Sequence, residues 1–105
     1  MDPETLFTKA ADLLREAGWG QHAYRPKGGG LCVLGALNVT LGFTYDDGDA
    51  LYEFPWLDEL RDRQLELSRW NDDEGRTKEE VLEALGRLAV GCTLDDILPP
   101  AHADT

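Results

Sequence analysis

Leu31-Cys32-Val33-Leu34-Gly35-Ala36-Leu37-Asn38-Val39-Thr40-Leu41 is the stretch that decides the fold. It holds no charge and places apolar side chains all round a helix, so such a segment belongs in the interior with other elements packed about it. A buried strand is the competing reading of so apolar a run. Its length and the Gly35-Ala36 pair, which suits close helix packing, favour a helix that Gly42 ends.

Upstream, Asp2 then Pro3 is a helix start, a capping carboxylate before a proline at the first helical position. Leu6, Phe7, Ala10, Ala11, Leu13, Leu14 and Ala17 form one apolar stripe, which predicts a first helix over Pro3 to Ala17. Gly18 ends it in a left-handed conformation, Trp19 follows as a hydrophobic latch, and Gly20 to Gly30 is an irregular loop. Downstream, Phe43 to Phe54 is a loop with a short turn near its end. Pro55 opens a third helix on which Trp56, Leu60, Leu67 and Trp70 recur at helical spacing. Asn71 to Arg76 is an acidic turn. Thr77-Lys78-Glu79-Glu80 is a capping box for a fourth helix with Val81, Leu82, Leu85, Leu88 and Ala89 inward, ended by Gly91. Thr93 to Leu98 adds one more turn. The expectation is an all-α, single-domain bundle of about four helices around an apolar second helix, spanning 1–98, with 99–105 as a flexible tail.

The chain has 105 residues and a formal net charge of −11, which suits one compact domain and excludes a large multidomain enzyme. The charge is segregated. Asp2, Glu4, Asp12 and Glu16 balance Lys9, Arg15, Arg25 and Lys27, so the whole excess lies after residue 45. An acidic surface repels phosphate and disfavours direct nucleic-acid binding. It favours a basic partner, either a cationic protein face or a nucleic-acid-binding protein whose DNA this surface imitates; the plainer function of such a surface is solubility. No apolar run reaches the length of a membrane span, no signal sequence precedes the first helix, and Cys32 and Cys92 sit in no metal or redox spacing, which points to the cytoplasm.

No cofactor or metal pattern emerges. The acids at Asp46, Asp47 and Asp49, and at Asp72, Asp73 and Glu74, lack the glycine and terminal glutamate positions of a calcium loop, and Gly28 to Gly30 lack the rest of a phosphate-binding run. One constellation suits nucleophilic chemistry. Cys32 in the first turn of an apolar helix would have its thiolate favoured by unpaired N–H groups, Gln21 would supply an oxyanion donor and His22 a base. The competing role of Cys32 is a small core residue. A second cluster, Trp70-Asn71-Asp72, is either a structural helix end or a binding corner that brings an aromatic, an amide and a carboxylate together.

Gly18-Trp19, Gln21, Ala23-Tyr24, Leu31-Cys32, Leu34-Gly35-Ala36-Leu37, Trp70-Asn71-Asp72 and Thr77 to Val81 follow one another in an order that resembles an uncharacterised family of small proteins from actinobacteria and their phages. Its blocks are GW-Q, C-x-x-GA and WND-x(4)-T-x-x-E-V. The resemblance implies a bacterial or phage-encoded cytosolic protein and transfers no activity. It singles out Trp19, Gln21, Cys32, Trp70, Asn71 and Asp72, and suggests that the three blocks meet on one surface. The function expected from the sequence is a non-enzymatic module, a phage or accessory regulator, that binds a host protein through its acidic second half and through Trp19, Gln21, Trp70, Asn71 and Asp72. The alternative is a small cysteine-dependent hydrolase or transferase. Self-association of a helical module is a third expectation.

Overall fold

Local capping chemistry sets the outer helices. Asp2 accepts the Thr5 backbone N–H at 2.7 Å and Pro3 takes the first helical position, so α1 runs Pro3–Ala17 and stops at Gly18, whose φ is +94°. Both halves of the Thr77–Glu80 capping box form, and α5 runs Lys78–Ala89. The structure, a computed structural model, describes residues 1–24 and 29–98. The expected tail, and Arg25 to Gly28 of the expected loop, lie outside the described residues.

The apolar stretch is shorter as a helix than its pattern suggests. Instead of Leu31 to Leu41, α2 runs Val33–Thr40. Leu31 is outside it because its backbone is spent elsewhere: its N–H donates to the Gly18 carbonyl and its own carbonyl accepts from Gly20. Cys32 is therefore the N-cap, its sulfur accepting from the Gly35 N–H at 3.3 Å. Val33 to Asn38 are all buried, as an uncharged central helix requires.

The expected third helix is a broken one. A 3-10 turn at Pro55–Leu57 leads into α3 (Asp58–Asp62), Arg63 departs to φ −112°, ψ 18°, and α4 follows at Gln64–Asp72. No glycine or proline marks the break. Arg63 sits there with its guanidinium between Glu66, at 2.9 Å, and Asp95, at 2.6 Å. Helix α4 also reaches past Trp70, so Asn71 belongs to its last turn and not to the acidic turn. The break gives the described residues five α-helices in place of about four, and two further 3-10 turns lie at Ala50–Glu53 and Leu94–Asp96.

Helix α1 packs on α5 and α2, and α2 packs on α4, so α1 shares the centre with α2. Leu6, Leu14, Leu37, Leu51, Leu67, Leu85, Val33 and Val81 are wholly buried, and each such leucine contributes about 1.5–3 kcal/mol. Of the residues that recur at helical spacing on the expected third helix, Leu60, Leu67 and Trp70 are buried and Trp56 is 40% exposed. No helix among the described residues is long and apolar enough to cross a membrane.

Candidate functional site

The segment after α1 returns to its own base. Gly20 N–H reaches the Leu31 carbonyl at 3.1 Å, Leu31 N–H reaches Gly18 at 2.9 Å, and Cys32 N–H reaches Tyr24 at 3.0 Å. Two glycines permit this closure. A Cβ on Gly30, which sits at φ +81°, would lie 2.8 Å from the Gly18 carbonyl, and a Cβ on Gly35 would lie 2.5 Å from the Tyr24 oxygen.

Asn71 ties this loop to two helices. It is 0% exposed. Its Oδ1 accepts from Trp19 Nε1 at 2.7 Å and from the Val33 backbone N–H at 3.1 Å. Its Nδ2 donates to the Gly20 carbonyl at 3.2 Å and to Asp72 Oδ1 at 3.0 Å. Both donors and both acceptor directions of the amide are thereby used. Val33 N–H is one of the donors that the first turn of α2 leaves unpaired, so Asn71 acts as a second cap for that helix from another part of the chain. Gln21 does the converse, its Nε2 donating to the Asn71 and Asp73 carbonyls at the end of α4. The His22 backbone N–H donates to Asp72 Oδ1 at 2.8 Å, with His22 itself at φ +73°. Arg76 completes the junction: its Nε donates to the Trp70 carbonyl and its guanidinium stacks 4.1 Å over the Trp70 ring.

Trp19, Gln21, Cys32, Trp70, Asn71 and Asp72 thus meet, but as a latch closed on itself. Asn71 is wholly buried, and Trp70, 8% exposed, shows only an edge, in a cleft of about 190 Å³ that Arg76, Glu80, Glu83 and Arg87 also line. Trp19, Gln21 and Asp72 are half-buried and His22 is exposed. His22, Tyr24, Cys32, Ser68 and Asp72 border a cleft of about 210 Å³.

Cys32 does not have the electrostatics expected of a helix-end thiol. It is 6% exposed, and burial pushes its pKa up, outweighing the N–H groups of Gly35 and Leu34 that favour the thiolate; the Asp72 carboxylate adds to the rise. Gln21 has given both amide hydrogens to carbonyls and has none for an oxyanion. In a Cys92→Ser background, iodoacetamide labelling of Cys32 without denaturant is expected to be slow, with its pH midpoint above the free-thiol value of about 8.5. Fast labelling with a midpoint below that value would restore the nucleophile.

The features missed by sequence reasoning lie between residues 43 and 62. Phe43 and Phe54 meet edge to face at 6.2 Å, Phe54 and Trp56 at 6.1 Å, and Tyr52 stands 59% exposed with Arg61 5.6 Å from its ring. The same segment, residues 43–62, carries Asp46, Asp47, Asp49, Glu53, Asp58, Glu59 and Asp62 against one basic residue, Arg61. The signal was present as aromatics interleaved with acids in what reads as a loop. The run from α1 through this face and the latch to the end of α5 matches, over residues 1–90, the sequence pattern of a family of unknown function, DUF6197. The chain belongs to DUF6197. No curated protein and no solved structure matches the chain. The part of this DUF6197 protein that the match covers contains every latch residue from Trp19 to Arg76 and stops before the Leu94–Asp96 turn.

Proposed function

We propose that this protein is a non-enzymatic interaction module that engages a basic protein through the acidic aromatic face of residues 46–62. The observation that carries the reading is the exposure of Tyr52 and Trp56 within a segment of seven named carboxylates and one arginine. Large aromatics provide most of the binding energy at protein interfaces, and a surrounding field of one sign speeds the encounter with an opposite one. Trp19, Gln21, Trp70, Asn71 and Asp72, as a latch, serve this function by holding α2 and α4 in place. The resemblance to small proteins of actinobacteria and their phages supports a cytoplasmic regulator acting on a host protein. The alternative, a cysteine hydrolase or transferase, draws support from the cleft that Cys32 shares with His22 and Asp72. The raised thiol pKa weighs against it.

Capture from a bacterial host extract with the wild type and with an Asp46→Lys, Glu53→Lys, Glu59→Lys variant tests the proposal. A basic protein retained by the wild type is expected to be lost with the variant, and its association rate to fall several-fold as salt rises from about 50 to about 300 mM. Equal capture by both proteins, or an association rate indifferent to salt, would reduce the acidic face to a solubility device.

A further inference from the structure

Beside the acidic aromatic face lies a groove of about 150 Å³ where the start of α1, the segment around Trp56 and the chain after α5 come together. Its floor is apolar: Phe7, Leu60, Leu88 and Leu94 are core residues whose outer edges it exposes, and the half-exposed Trp56 forms one wall. Glu59 is the one charged residue on its lining, which includes no lysine, arginine or histidine. Asp2 and Glu4 flank the lining residue Pro3, and Asp58 lies between Leu57 and Glu59, all three exposed.

We infer that this groove receives one large apolar side chain, flanked by lysine or arginine, from a segment of the basic partner. The inference rests on the reading given under Proposed function and names what the partner must present. Size sets the anchor: a dry cavity of roughly this volume takes up a molecule as large as benzene, which matches the ring of a phenylalanine. Charge sets its neighbours: Glu59 on the lining and the exposed Asp2, Glu4 and Asp58 next to lining residues outnumber Arg61 and Arg87, which adjoin Leu60 and Leu88, and favour a basic residue beside the anchor. A second copy of this chain is the wrong occupant, since it would bring another net −11 against the same rim. Trp56 is shared by the groove and the exposed face, so an anchor seated here lies alongside the surface that attracts the rest of the partner.

The test is a titration of the isotope-labelled protein, followed by backbone amide NMR, with three short peptides: Lys-Lys-Phe-Lys-Lys, the same peptide with serine for phenylalanine, and Glu-Glu-Phe-Glu-Glu. The first is expected to bind about tenfold more tightly than the serine peptide and to shift amides of Trp56 to Leu60 and of Cys92 to Leu94. Cys92→Arg, which fills the groove and adds a positive charge, and Trp56→Ala, which removes a wall, are each expected to abolish that tenfold difference. Thermal melts of both variants establish that they are folded. Equal binding of the phenylalanine and serine peptides, with shifts confined to the acidic face, overturns the groove and leaves the acidic face standing. Absence of any shift from either lysine peptide overturns both. Equal binding of the glutamate peptide overturns the basic flanks, and shifts of groove amides on concentrating the protein alone would make the occupant a second copy.

Discussion

Asn71→Ala is expected to destabilise the fold by about 3 kcal/mol, seen as a lower denaturant midpoint with little change in slope. The substitution removes no great volume. It strands the Trp19 indole N–H, the Val33 N–H and the Gly20 carbonyl, which all depend on this amide, in a place where water does not reach Asn71 itself. Leaving one buried polar group unpaired costs about 1–3 kcal/mol, and three lose their partner together. Asn71→Asp separates the hydrogen bonds from packing. It keeps the oxygen that serves Trp19 and Val33 but turns a second oxygen toward the Gly20 carbonyl and the Asp72 carboxylate. Its pKa is thereby raised above that of the unfolded chain, so the variant gains stability relative to the wild type as pH falls from about 7 to about 5 and loses it again as pH rises. A loss below about 1 kcal/mol in both variants would show that the latch is incidental.

Gly35→Ala, though a single methyl in a helix, is expected to cost about 2–4 kcal/mol, while Gly86→Ala should gain about 0.5–1 kcal/mol. Helix propensity alone favours alanine at both positions. The difference lies in the surroundings. The new Cβ at position 35 falls 2.5 Å from the Tyr24 carbonyl oxygen, which is backbone and already holds the Cys32 N–H at 3.0 Å. At position 86, on the exposed side of α5, it meets nothing within 4 Å. Paired thermal melts decide the matter, and a Gly35→Ala variant as stable as the wild type would mean that the loop is free to lift from α2.

Where the determining chemistry is local, the sequence is transparent. Asp2-Pro3 and Thr77 to Glu80 each satisfy helix-end donors within one turn, and both helices begin where those residues place them. Leu31 misleads because side-chain pattern carries no information on where a backbone N–H and carbonyl are spent; its apolar side chain continues the stripe while its backbone pairs with Gly18 and Gly20. The break at Arg63 is invisible for a similar reason, since the residue is a good helix former and its ion partner Asp95 is 32 positions away. The candidate site shows the same division. Trp19, Gln21 and Asn71 stand out as residue types, yet whether they face solvent or one another depends on contacts spanning about fifty positions. Trp56 was hidden because it shares helical spacing with the buried Leu60, Leu67 and Trp70, and Tyr52 because it lies in a stretch that reads as a loop, where spacing says nothing of which side chains face out.

The bond from Trp19 to Asn71 joins residues 52 positions apart, and this gives it a place in time as well as in space. Joining such distant points costs only slightly more entropy than joining nearer ones, but neither partner is in position until α2 and α4 have docked. The capped starts of α1 and α5 need no such wait. The indole proton of Trp19 is therefore a reporter of late assembly: its exchange with solvent tracks the opening of the junction, whereas amides at the two capped helix starts follow local fraying.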